Sequence, residues 1–159
     1  MATEAIDWQP VVEGIKATLE TDVPSVGGQN IYYDAGKFDL TVDYMPACTI
    51  WLGGSTFETI RLGKESGRLA YRESKQIFLL VMVYKAGIED EDSIWLNAHG
   101  QCEDLLRLIL NSLTADTTIG GQVMSSRLVE IVKDPPEEPE DEQFQAARIE
   151  ITAKKSWFA

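Results

Sequence analysis

The sequence predicts an α+β domain, a mostly antiparallel (mixed) β-sheet flanked by two main helices and ended by a long C-terminal β-hairpin. Three observations predict it. Two stretches carry apolar residues at helical spacing, and β-rich runs lie between and after them. No βαβα alternation occurs, which argues against a doubly wound parallel sheet. With 159 residues, one domain over 1–159 is expected.

The first helix is expected from Asp7 to Glu20, with Trp8, Val11, Val12, Ile15 and Leu19 on one stripe. Asp7 is its candidate cap, and Pro10 is tolerated because it falls in the first turn. Residues 21–46 show little periodicity and are punctuated by Pro24, Gly27, Gly28, Gly36 and Pro46. Their aromatic residues Tyr32, Tyr33, Phe38 and Tyr44 are too many for a solvated linker. Two readings stand: a partner-facing aromatic arm with one short strand, or a loop packed on its own core.

Ala47–Leu52 reads as a strand, Gly53-Gly54-Ser55 as a turn and Thr56–Leu62 as a second strand. After a Gly63–Gly67 turn, Arg68–Arg72 begins another strand. The clearest one, Gln76–Tyr84, has no polar face and is expected at the sheet centre with both faces covered.

The second helix is expected from Asp92 to Leu113, with Ile94, Ala98, Cys102, Leu105, Ile109 and Leu113 as its core stripe. Trp95, Leu106 and Leu110 widen the stripe, and Asp90 or Asp92 can cap it. Gly120-Gly121 follows as a turn. Val123–Lys133 and Phe144–Lys155 then form a hairpin, with Ala147, Ile149, Ile151 and Ala153 facing one way. Between them, residues 134–142 form an acidic, proline-rich loop with Glu137, Glu138, Glu140, Asp141 and Glu142 as its candidate interaction residues. Past the last strand, Trp157 and Phe158 lie at the terminus, and two aromatics there are expected to dock on this chain or on a neighbour.

The chain carries 14 basic against 26 acidic residues, a net charge of −12. Such a surface favours solubility and repels phosphate backbones and anionic membranes. No signal peptide or membrane span is expected, since the longest apolar run, Ile77 to Tyr84, is far short of the roughly 20 residues a bilayer needs. Cys48 and Cys102 are expected to be small core residues, not a disulfide.

No chemical motif identifies a reaction. The single histidine, His99, falls at the edge of the apolar stripe. There is no second histidine and no CxxC for zinc, and no GxGxxG or P-loop lysine motif. No catalytic residue, cofactor or metal is expected. The densest acids lie in the solvated loop, where tuned pKa values are least expected.

The element order, together with Met45-Pro46-Ala47-Cys48-Thr49-Ile50, Leu105–Leu113 and Ala146-Ala147-Arg148-Ile149-Glu150-Ile151, resembles the tail-terminator and head–tail completion proteins of tailed bacteriophages. The resemblance covers nearly the whole chain as order and style. It implies a virion protein assembled in the bacterial cytoplasm as a homo-hexameric ring. Such a ring caps the tail tube, ends its polymerisation and offers a docking face to the head or neck, while DNA passes through the lumen unbound. A ring needs two complementary patches per subunit. The aromatics Tyr32, Tyr33, Phe38, Tyr44, Trp157 and Phe158 are candidates for one, and exposed strand edges for the other. The excess of acid suits a DNA-passing lumen or simple solubility. Competing expectations are a neck adaptor or head-closure protein, a small acidic ligand-binding or enzymatic domain, and an acidic nucleic-acid mimic.

Overall fold

In the computed structural model, residues 7–23, 31–33, 46–61, 69–86, 98–133 and 142–158 are described. Their elements in chain order are α1 (Gln9–Asp22), β1 (Ile31–Tyr33), β2 (Ala47–Arg61), β3 (Leu69–Ala86), α2 (Ala98–Ala115), β4 (Ser125–Lys133) and β5 (Glu142–Phe158). The strands form one sheet in the order β1-β2-β3-β5-β4. All neighbours are antiparallel except β1, which runs parallel to β2 through three residues. The fold is therefore α+β, with a predominantly antiparallel sheet.

The apolar run in β3 takes the expected central place, but the helices cover only one of its faces, not both. Ile77, Leu79, Val81 and Val83 are fully buried beneath the helices. On the opposite face Met82 is buried with Ala47 and Ala146, and Leu80 packs against them. Further along that face Phe78 is only half-buried, stacked on Trp51 with ring centroids 4.4 Å apart.

Both helices lie on one face. The stripe of α1 (Val11, Val12, Ile15, Leu19) and that of α2 (Cys102, Leu105, Leu106, Ile109, Leu113) join Cys48, Ile50, Ala147, Ile149, Ile151 and Ala153 in one core. Burying a side chain of this size contributes roughly 1.5–3 kcal/mol. The Ser112 hydroxyl donates to Asp22 Oδ2 at 2.7 Å and ties α2 to the end of α1.

Several expected boundaries move. Helix α1 starts at Gln9, and Asp7 Oδ1 accepts from the Gln9 N–H at 3.0 Å, one position earlier than an N-cap side chain would sit. The boundary position belongs to Trp8, whose buried ring is held by the sheet. Of the expected second helix, Ala98–Ala115 is helical, and residues 91–97, including Asp92, Ile94 and Trp95, lie outside the described residues.

Gly53-Gly54-Ser55 is not a turn. β2 runs straight through it, with a register shift against β3 between Leu52 and Ser55. A bulge accommodates the extra residue and bends the strand without reversing it. Gly53 is required there, because a Cβ would lie 2.6 Å from Phe78 Cε2. Nor is β3 two strands: the polar stretch Tyr71–Lys75 is paired on both sides, by β2 and by β5, and Gln76 pairs with β5 opposite the bulge.

The link from α2 to β4 is a tight turn. Ile119, Gly120 and Gly121 all have positive φ, at 52°, 65° and 82°. A β-branched residue in that region is unusual. Ile119 is held there by burial against α1, where a Cβ on Gly14 would come 3.1 Å from Ile119 Cγ2. Asp116 organises the turn, accepting from the Thr118 and Gly120 N–H groups at 2.9 and 2.7 Å and from the Thr118 hydroxyl at 2.6 Å.

Candidate assembly surface

The hairpin expectation holds: β4 and β5 are antiparallel, from Ser125↔Lys154 to Lys133↔Ala147. Its two strands differ in cover. β5 lies inside the sheet, while β4 is an edge strand with its outer side open among the described residues. Leu128, Val129, Ile131 and Val132 are all exposed, Val129 at 47%. Following their paired residues on β5, Leu128 and Ile131 share the helix-covered face with Ile151 and Ile149. Val132 and Arg127 lie on the other face, and a bulge at Val129 separates the two halves of the strand.

Helix α2 does not close over β4. A groove of about 600 Å³ remains between them, lined by Leu106, Leu110, Asn111, Ile131, Glu103, Arg107 and Lys133. An ion pair from Lys133 to Glu103 crosses one end of it.

The other side of the sheet is also incompletely covered. β1 pairs only with Cys48–Ile50, and no strand among the described residues pairs with the outer edge of β2 from Trp51 to Arg61. Trp51, Leu52 and Phe57 are exposed there, Phe57 at 59%. Glu58 lies on the same stretch, with an exposed carboxylate 3.7 Å from Arg72.

The candidate residues from the sequence are only partly brought together. Tyr32 and Tyr33 belong to β1, where their backbone positions pair with Thr49 and Ile50. Phe38 and Tyr44 lie outside the described residues, as do Glu137, Glu138, Glu140 and Asp141. Glu142 is not loop: it opens β5, opposite Ala86. Trp157 and Phe158 end β5, with backbones paired to Tyr71 and Ala70 of the same chain.

Sequence reasoning missed two features. One is the apolar edge of β4, whose only signal was an apolar pattern on both faces of a strand. The other is the Glu73 cluster on β3. This buried carboxylate accepts from the Trp8 indole N–H at 3.0 Å and from the Ser55 hydroxyl at 2.8 Å. Lys75 and Lys155 stand over the Trp8 ring, 6.0 and 5.6 Å from its centroid. Such contacts between a cation and an aromatic face are worth about 0.5–1 kcal/mol each at exposed sites. The cluster pins the start of α1 to β2, β3 and β5, so its role in the geometry is anchoring.

Cys48 and Cys102 are free and buried, as expected of core residues. Burial pushes the Cys48 thiol up to about 12. The Cys102 thiol is pushed up to about 11, again by burial, with Lys133 pulling weakly the other way. Both are therefore protonated at neutral pH and poor nucleophiles. His99 is half-buried at the core edge, its Nδ1 3.3 Å from Gln145 Oε1. Among the described residues no group of three His, Cys, Asp or Glu side chains is placed to hold a metal, and no helix is long and apolar enough to cross a membrane.

The fold and this surface define a class: an α+β packing domain whose sheet has two edges, β4 and distal β2, left without a partner strand among the described residues. No family model and no curated protein matches the chain.

Proposed function

We propose that the chain is a structural virion protein of a tailed bacteriophage, a tail terminator without cofactor or catalytic site. In this reading its copies form a ring, with six members on the family resemblance. The ring caps the tail tube, ends tube growth and presents a docking face to the head or neck. Tube protein and neck protein are its partners, DNA slides through its lumen, and the virion tail is its final location.

The observation that supports this reading best is the pair of different strand edges, β4 and distal β2, left without a partner strand among the described residues. Cyclic rings are heterologous, so each subunit must offer one surface that fits a different surface on its neighbour. A sheet edged by β4 on one side and by distal β2 on the other offers such a pair. The net charge of −12 suits a channel that DNA must pass without adhering. A neck adaptor in the same connector region is favoured by the same edges and differs only in which ring it meets.

Light scattering and negative-stain imaging of the purified chain test the reading, followed by incubation with growing tail tubes. The expected result is a ring of about six times 17.7 kDa that stops tube elongation at one end. Binding to head connectors but not to tube ends would select the neck adaptor. A chain that stays monomeric and leaves tubes growing would remove both.

A further inference from the structure

We infer that neighbouring copies join by antiparallel strand pairing, the outer edge of β4 in one copy meeting the outer edge of β2, Ser55–Ile60, in the next. The inference rests on the ring reading and adds which edges meet, in which direction and in which register.

Strand direction carries it first. β2–β3, β3–β5 and β5–β4 are each antiparallel, so β4 runs opposite to β2 within one copy. Rotation about an axis lying along the strands preserves strand direction. β4 of one copy therefore arrives antiparallel to β2 of the next, and the sheet continues around the ring without inversion. Pairing β4 with β4 would instead need a two-fold axis and would close a pair rather than a ring.

Charge and face agree with that direction. On β2, Ser55, Phe57 and Thr59 pair with Lys75, Glu73 and Tyr71, while Thr56, Glu58 and Ile60 point to the other face. Setting Arg127 opposite the exposed carboxylate of Glu58 puts Leu128 opposite Phe57. Past the bulge at Val129, Glu130 falls opposite Thr56 and Ile131 opposite Ser55. In every one of these pairs both residues belong to the same face of the sheet. The register sets an opposite-charge pair beside an apolar pair, the two combinations that stabilise neighbouring strands. It also covers Leu128 and Phe57, both exposed in the single chain, and gives partners to a row of edge N–H and C=O groups.

Cysteine pairs and charge reversal in the full chain test this, with circular dichroism checking that each variant folds. Directly opposed residues on paired strands bring their Cβ atoms to about 4.5–5.5 Å, near disulfide range. Leu128→Cys with Phe57→Cys in one chain should give a ladder of covalent oligomers on mild oxidation, and neither substitution alone should give any. Arg127→Glu or Glu58→Arg should shift the ring toward the 17.7 kDa monomer, and the two together should restore it. Covalent dimers from Leu128→Cys alone would overturn the inference in favour of β4–β4 pairing. A ring indifferent to both charge reversals, with no ladder from the double cysteine variant, would overturn it and leave the ring reading standing. A wild-type chain that stays monomeric even with tail tubes would take both down.

Discussion

Ile149 and Ile131 face each other across the β4–β5 ladder, and their fates differ. Ile149 is fully buried, whereas Ile131 is 39% exposed. The residue type is the same and so is the face of the sheet. What differs is the roof: α1 and α2 pack over the central strands, while the groove beside α2 leaves β4 open. An apolar strand is thus not core by composition. It becomes core only where another layer reaches it, and where none of the described residues does, as at β4, its apolar side chains stay exposed.

The comparison breaks most visibly if aspartate is placed on its covered side. Ile149→Asp, or Ile109→Asp in the helix above it, buries an unpaired charge at a cost of several kcal/mol. Against a total of about 5–15 kcal/mol for such a domain, circular dichroism and thermal melting should show an unfolded or barely folded chain.

A smaller effect is expected from loosening the roof. Trp8→Phe keeps the ring in the core but removes the indole N–H, one of the two side-chain donors to the buried Glu73 carboxylate among the described residues. Urea unfolding should show a loss of about 1–3 kcal/mol, and Trp8→His, which keeps a ring N–H, should recover part of it.

The uncovered side should respond in the opposite sense. Ile131→Asp is expected to cost only about 1 kcal/mol in the monomer, because its side chain is only partly covered, yet to lower the mass of the proposed ring in light scattering. A large drop in melting temperature would mean that the groove beside α2 closes over Ile131 in solution.

The smallest effect belongs to the turn that delivers β4. Hydrogen bonds from the Thr118 hydroxyl, then from the Gly120 and Thr118 N–H groups, hold the exposed Asp116 carboxyl below its ordinary value of 3.8. A lowered carboxylate stabilises the fold above its unfolded pKa and loses that contribution as pH falls through the folded one. Asp116→Asn should therefore lower the melting temperature slightly at pH 7. The gap between variant and wild type should close as both are taken below the normal carboxylate range.

Much of this architecture was legible from pattern. Period 3.6 marked both helices, the unbroken apolar run of β3 marked the sheet centre, and the alternation of Ala147, Ile149, Ile151 and Ala153 marked β5. Punctuation was less reliable. Gly53-Gly54-Ser55 carries turn chemistry, yet its glycine is there because the Phe78 ring fills the place of a side chain. The polar run Tyr71–Gln76 hid the continuity of β3, since ladder hydrogen bonds do not depend on side-chain polarity. The assembly surface was the least legible. Exposed strand edges were anticipated as a class, but which strand lies at an edge is a fact of strand order, and nothing in Ser125–Lys133 distinguishes it from a central strand. The Trp8–Glu73 contact joins residues 65 positions apart, beyond the reach of any local pattern.

Strand order also sets a schedule. β5, the last element in chain order, lies between β3 and β4. A ribosome adding roughly 5–20 residues per second makes β4 first and afterwards β5, the strand it pairs with among the described residues. Until residues 142–158 have emerged, β4 lacks its partner β5 and β3 lacks one of its two described neighbours. The edge inferred to join copies together thus comes into being only when the sheet is complete. If copies join as proposed, an unfinished chain has no completed edge to offer, and the topology would then act as a checkpoint on what assembles.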